Sequence, residues 1–206
     1  MGLRGRVQAV LVDWTAVLGE RGGVGDLRRR LLSGARGRVI EIGAGTGANL
    51  RHYPRDLERL VLVEPVEEMA RRIEERLAAT GRTASVVRAR AEDLPVEDAS
   101  FDTAVATLVL CSVREPARAL AEIRRVLVPG GQLLFLEHVR SCAVRLAGWQ
   151  DRVNPLWRAV AFGCNLNRPT LASIEAAGFV VAELERGRMP AAPPVLRPLV
   201  LGRAVR

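Results

Sequence analysis

The apolar run Val39-Ile40-Glu41-Ile42 is followed at once by glycines at alternate positions, Gly43, Gly45 and Gly47. Three β-branched residues in four, closed by glycine, read as a buried strand. Glycines in that place let the backbone turn sharply and approach a ligand with no Cβ in the way. A helix is expected to open near Ala48, and the free amide N–H groups of a helix start hold negatively charged or polar groups. A chain with this segment is constrained to an open α/β sheet that carries a ligand loop on its first strand.

The rest of the chain alternates accordingly. Strands are expected at 38–42, 60–63, 84–88, 103–107, 132–137, 180–186 and 199–205, and helices at 66–79, 116–127 and 170–177. Met69, Ile73 and Leu77 make one helical stripe, and Leu120, Ile123 and Leu127 another; both are ordinary core patterns. Residues 8–35 read as one or two helices before the sheet, with Asp26 as a cap and Gly22, Gly23 and Gly25 as a joint. Residues 149–162 read as helix broken at Pro155, and 189–194 as the connection between the last two strands. Alternating strands and helices imply right-handed crossovers and a doubly wound, mostly parallel sheet of seven strands. Ligands then sit at the carboxyl ends of the strands, where the strand order reverses.

Composition narrows the partners. The 206 residues suit one domain, with no internal repeat. The net charge of +8 comes from arginine alone, because the chain has no lysine, and this excludes Walker-type, Schiff-base and catalytic lysines. The arginines are scattered, and the run Arg28-Arg29-Arg30 is expected on the solvated face of a helix, so nucleic acid is not the expected partner. The longest apolar run, 104–113, is too short to span a bilayer, and the N-terminus lacks a secretory pattern. Cys111, Cys142 and Cys164 show no metal spacing, so no metal is expected, and their odd number fits reduced thiols and a cytoplasmic location.

The loop alone admits two cofactors as well as a bare structural turn. Gly43, Gly45 and Ala48 fit a dinucleotide fingerprint. Glu41-x-Gly43-x-Gly45-x-Gly47 resembles motif I of class I S-adenosylmethionine-dependent methyltransferases, and Glu64, closing the next strand, suits the ribose hydroxyls of either cofactor. Three further segments resemble the methyltransferases in family order: Ala91-Glu92-Asp93-Leu94-Pro95, Ser100-Phe101-Asp102-Thr103 with its following strand, and the Pro129-Gly130-Gly131 turn before strand five. The resemblance implies a Rossmann-like sheet with an antiparallel last strand. It implies S-adenosylmethionine held by Glu41, Gly43, Ala44, Gly45, Gly47, Asn49, Glu64, Pro65, Glu92, Asp93, Leu94, Thr107 and Leu108. It also implies one methyltransferase domain: a helical lid at 8–35, a cofactor core at 38–137, an acceptor-side insertion at 141–169, and a closing helix and strands at 170–206.

A finer resemblance covers roughly 38–180. Leu110-Cys111-Ser112-Val113, Glu137-His138-Val139, Asn154-Pro155-Leu156-Trp157 and Gly163-Cys164-Asn165-Leu166 look like the methyltransferase-like protein 7 group of alkyl-thiol S-methyltransferases and its bacterial relatives. The hydrophobic N-terminal membrane segment of the animal members is not visible, so membrane attachment is not carried over. A small-molecule thiol is the implied acceptor, in detoxification or natural-product tailoring. Methyl transfer to oxygen or nitrogen of a small metabolite, quinone or lipid headgroup is the alternative, and a non-catalytic nucleotide-binding module and a dinucleotide oxidoreductase stand behind it. The chain holds two histidines and one tyrosine. His138, ending strand five, is the expected catalytic base or orienting group, while His52 reads as packing. Cys111, Trp149, Asn154 and Trp157 are the expected acceptor contacts, with Cys111 itself a buried, inert thiol.

Overall fold

A computed structural model describes residues 7–13, 19–190 and 192–206, with the backbone alone at Arg21. Seven strands form one sheet in the order β3-β2-β1-β4-β5-β7-β6. They are β1 (Arg38–Ile42), β2 (Arg59–Val63), β3 (Ser85–Val87), β4 (Phe101–Thr107), β5 (Leu127–His138), β6 (Val180–Arg188) and β7 (Pro198–Val205). β1 to β5 run parallel, and β7 pairs antiparallel with both β5 and β6.

β1, β2, β4 and most of β5 are buried and largely apolar because both faces are covered, whereas the edge strand β6 is exposed along almost its whole length. Ile40, Val61, Val63, Ala104 and Ala106 pack on one side, with Leu120 and Ile123 of α3 (Pro116–Val126) and Ile174 of α5 (Thr170–Ala176). Val39, Leu60, Leu62 and Val105 pack on the other, with Leu31 and Leu32 of α1 (Gly25–Leu32) and Ile73 and Leu77 of α2 (Glu67–Thr80). Alternate residues of one strand therefore serve two cores, which is the period-two rule of a pleated strand. The strand order reverses on either side of β1, and this opens a crevice at the carboxyl ends of β1, β2 and β4.

Several expectations are corrected. No α-helix opens at Ala48; turns run through residues 45–49 into a 3-10 turn at Leu50–His52. The turn's own carbonyls take up amides there: Gly47 N–H donates to Ala44 and His52 N–H to Asn49. Asp26 does not cap α1 but lies in its first turn, paired to Arg29 at 2.5 Å. β5 begins five residues early, at Leu127, and the Pro129-Gly130-Gly131 turn bulges from the ladder between the Leu127 and Gln132 pairings. Helix α4 (Val144–Val160) is continuous through Pro155. Pro155 and Asp151, whose carbonyl loses its partner, both lie on the exposed face of the helix, so the orphaned group is not sealed in the core.

Residues 7–13 are helical, and the expected lid continues through 14–18, which lie outside the described residues, as do 1–6 and 191. Asp13 pairs with Arg72 and, at 2.9 Å, with Arg76, which ties this segment to α2. A π-helical turn, Glu20–Val24, precedes α1 and kinks at Gly23, where φ is 105°. Among the described residues, no helix is long and apolar enough to cross a membrane.

Candidate active site

The loop after β1 turns on three left-handed glycines, Gly43, Gly45 and Gly47, with φ of 64°, 59° and 84°. At Gly43 a Cβ would lie 2.2 Å from Val109 Cγ2, so the side chain is excluded by the next strand's loop as well as by the backbone. At Gly45 an added Cβ would meet only Val12, at 3.8 Å. Glu64 joins this loop to the end of β2: its two oxygens accept the N–H groups of Gly45 and Val66, each at 2.9 Å. The side chain is almost fully buried, and burial pushes its carboxyl up to about 7 against those two hydrogen bonds.

Beneath the loop lies a polar network. Asn49 donates to Glu41 at 2.8 Å and to Thr107 at 2.9 Å, and Tyr53 donates to Glu41 at 2.8 Å. Burial raises Glu41 to about 7. Arg28 reaches into this network from α1, donating to Asn49 at 2.5 Å and Thr107 at 3.1 Å, with Glu20 3.4 Å away. The expected solvated arginine run is thus split. Arg28 is buried while Arg29 and Arg30 are exposed, because one residue in three or four of this helix must face the sheet.

A cavity of about 630 Å³ opens above these groups. Gly43, Ala44, Gly45, Glu64, Pro65, Glu92, Thr107 and Leu108 line it, as does Arg28, which sequence reasoning placed elsewhere. Glu92 also accepts the N–H groups of Arg114 and Glu115, at 2.7 and 3.2 Å. Glu41, Gly47 and Asn49 lie under the loop, off the cavity wall, while Asp93 is exposed and Leu94 is buried in the core. The far wall holds Leu108, Val109, Ser112, Val113, Ala161 and Phe162. Leu108 and Phe162 have φ of 55° and 52°, a costly conformation for side chains of that size.

That far wall is assembled from distant segments. Glu137 accepts the N–H groups of Val109 and Leu110 at 2.8 Å and of Cys111 at 3.3 Å. Asn165 holds the Cys111 carbonyl through its own N–H and side-chain amide, at 2.9 and 3.0 Å. Arg168 donates to the carbonyls of Leu110 and Val113 at 2.6 and 2.8 Å. Asn154 accepts the Leu166 N–H at 2.8 Å and so anchors the segment without reaching the cavity. Trp149 is 57% exposed and stacks on Arg152 at the solvent face of α4, away from the cavity. Trp157 is half-buried, with its indole beside the Cys164 thiol.

His138 lies behind the wall, 6% exposed, with Nε2 2.8 Å from Cys164 Sγ. Cys164 Sγ is 3.8 Å from Cys111 Sγ. Cys111 and Cys164, 53 residues apart, thus meet at His138, a convergence that no sequence spacing signals. The neighbouring Cys111 thiol and the His138 ring hold Cys164 well below the usual thiol range. Cys111 rises well above the usual thiol range through its contact with Cys164 and through burial. Burial opposes the charge of His138, yet Cys164 and Glu137 raise it overall.

Residues 40–135 match a family described as methyltransferase domain. Human thiol S-methyltransferase TMT1B is 37% identical over 181 residues, a match covering 85% of this chain and 74% of that protein. Human thiol S-methyltransferase TMT1A is 35% identical over 172 residues, covering 82% and 70%. Among solved structures, the cyclase SpnF superposes at a TM-score of 0.72 with 21% identity, over 90% of this chain and 80% of that one. A methyltransferase from Thermotoga maritima, a possible histamine N-methyltransferase, does so at 0.69 with 24% identity, over 95% of each chain. Those two likenesses speak for the fold alone.

Proposed function

Because the chain belongs to the S-adenosylmethionine-dependent methyltransferase family that includes the human thiol S-methyltransferases, we propose that it methylates the sulfur of a small-molecule thiol. One observation carries the choice of acceptor. The match to those relatives covers 85% of the chain, so it takes in the acceptor-side segment that the domain match at 40–135 leaves out.

The residues fit the cofactor. The crevice stands at the strand-order reversal, its floor is bare backbone at Gly45, and a buried carboxyl closes β2 beside it. Glu64 is read as the acceptor for the ribose hydroxyls, each oxygen keeping a lone pair beyond its backbone bond. Arg28 supplies the positive charge that the amino-acid carboxylate needs at the loop end. Bound S-adenosylmethionine supplies an electrophilic methyl on a sulfonium. The chain's own part is alignment, and holding reacting atoms about 3–3.5 Å apart contributes roughly 7–11 kcal/mol. Leu108, Val109, Val113, Ala161 and Phe162 make an apolar wall that suits an alkyl thiol and excludes water. A thiol is partly ionised at neutral pH, with a reference pKa near 8.5. His138 stands behind Cys164 and off the cavity wall, and is read as a positioning residue.

We also propose residues 8–35, of which 14–18 lie outside the described residues, as the lid and the cytoplasm as the location, with small-thiol detoxification or natural-product tailoring as the setting; the free cysteines support the location. A turnover assay with S-adenosylmethionine and matched acceptors differing only in SH, OH or NH2 tests the proposal by mass spectrometry. Methylation confined to the thiol is expected. Transfer to oxygen or nitrogen instead would discard the thiol assignment and keep the cofactor.

A further inference from the structure

Two thiols and an imidazole converge behind the acceptor wall. Cys111 Sγ, His138 Nε2 and Cys164 Sγ all lie within 4.8 Å of one another. Two thiols and an imidazole form a soft ligand set, of the kind that binds zinc-class cations. The spacing supports this. With zinc–sulfur bonds of about 2.3 Å and tetrahedral angles, two bound sulfurs stand about 3.8 Å apart. The observed separation of the sulfurs is 3.8 Å. For sulfur and nitrogen the same geometry requires about 3.5 Å. The observed 2.8 Å is about 0.7 Å shorter, so metal binding would move the His138 ring and the Cys164 sulfur apart by that amount.

The surroundings favour a ligand there. His138 is buried, its Nδ1 has no partner, and its one polar contact is the sulfur of Cys164. A buried imidazole so poorly satisfied is costly unless something else binds it. The cluster is also braced from outside by Glu137, Asn165 and Arg168, which fix the backbone at Cys111. Glu137 accepts three backbone N–H groups and stays out of the ligand set. Among the described residues no fourth histidine, cysteine or carboxylate joins the three. Three protein ligands with one position open is the pattern of catalytic rather than structural zinc. Ser112, whose hydroxyl is 3.4 Å from Cys111 Sγ, lines the cavity, so the cluster adjoins the acceptor wall.

We propose that Cys111, His138 and Cys164 bind a zinc-class divalent cation whose fourth position takes the sulfur of the acceptor. This rests on the thiol reading above. On binding, the acceptor's S–H bond breaks and its sulfur replaces a metal-bound water. The proton leaves to solvent with that water, and the sulfur keeps the electron pair that the methyl carbon requires. Metal binding would thus make the nucleophile at neutral pH without a base touching the thiol.

The test uses the full chain, purified without a metal-chelating tag. Elemental analysis after exchange into zinc buffer is expected to give about one metal per chain, falling to background in the double variant Cys111→Ser, Cys164→Ser and in His138→Gln. S-adenosylhomocysteine affinity, measured by calorimetry, checks that the variants are folded; it is expected to stay within about 3-fold of the parent. Cobalt(II) loading should give thiolate charge-transfer bands and tetrahedral d–d bands, and butanethiol should shift the latter. Background metal in the parent, or undiminished metal in the folded double variant, would overturn the site. Bound cobalt with a spectrum indifferent to butanethiol would overturn the open position. A butanethiol-responsive spectrum without methyl transfer would sink the proposed activity and leave the metal site standing.

Discussion

The two sides of the cavity are built by opposite means. The glycine loop of the cofactor side comes from one stretch of chain, from β1 through Gly43–Gly47 to Glu64 and Val66, while Arg28, Glu92 and Thr107 reach that side from elsewhere in the chain. The acceptor side draws on residues 108–113, 137–138, 154 and 161–168, joined by hydrogen bonds that span up to 58 residues. A locally built site announces itself in sequence. A convergent one becomes visible only when the fold brings its parts together. The two should also fail separately when mutated.

The largest expected effect is on the cofactor side. Gly43→Ala forces a Cβ against Val109 in a left-handed conformation, at a cost of about 2–4 kcal/mol. A lowered melting temperature and loss of S-adenosylhomocysteine binding by calorimetry are expected; an unchanged melt would mean that Val109 moves freely. Glu137→Gln breaks the acceptor side instead. Replacing one carboxylate oxygen by an amide sets a donor against a backbone N–H, costing about 1–2 kcal/mol in the 108–113 turn. Turnover should fall about 10-fold while cofactor affinity moves less than about 3-fold. Equal losses in both would show that the two sides are one unit.

Glu64 sharpens the comparison through pH. Its folded carboxyl lies at about 7 and ordinarily near 4.5, so the native state holds the extra proton between those values. The stability this proton brings is complete below 4.5 and is lost as pH rises through 7. Cofactor affinity has the opposite sign, because a carboxylate is the better acceptor for ribose hydroxyls. Glu64→Gln should therefore gain melting temperature relative to the parent as pH rises from 4.5 to 7. At pH 8 it should bind S-adenosylhomocysteine about 10-fold more weakly. A variant that tracks the parent at every pH would remove Glu64 from the ribose role.

What could be read from the sequence follows the same division. The strands, the turn at Gly43–Gly47 and a mostly parallel sheet of seven strands were legible because apolar period and glycine position act locally. The continuous helix through Pro155 was not, since it depends on Pro155 and Asp151 both falling on the exposed face of α4. Arg28 was hidden inside an arginine run whose periodicity only the packing of α1 resolves. Trp149 looked like a pocket aromatic and stands in solvent. The sulfurs of Cys111 and Cys164 had no spacing to betray them, since β5 and the 161–168 segment bring them together only in three dimensions.

The smallest expected effect tests whether residues 7–13 belong to the cofactor side. Asp13 is the contact that Arg72 and Arg76 share, and the cavity is lined by Gln8 and Val12 of the same segment. Ion pairs near the surface contribute about 0.2–1 kcal/mol, and these partly covered ones stand at the upper end, so global stability should change by no more than about 1 kcal/mol in Asp13→Asn. If the segment closes over the cofactor, its release from α2 should raise the dissociation rate of S-adenosylhomocysteine by about 2- to 5-fold in stopped-flow measurements, with turnover at saturation little changed. Added salt should reproduce the effect in the parent and not in the variant, because screening acts on the pair that the variant has already lost. An off-rate unaffected by both would detach this segment from the cofactor side and leave the glycine loop and Glu64 to hold the ligand without it.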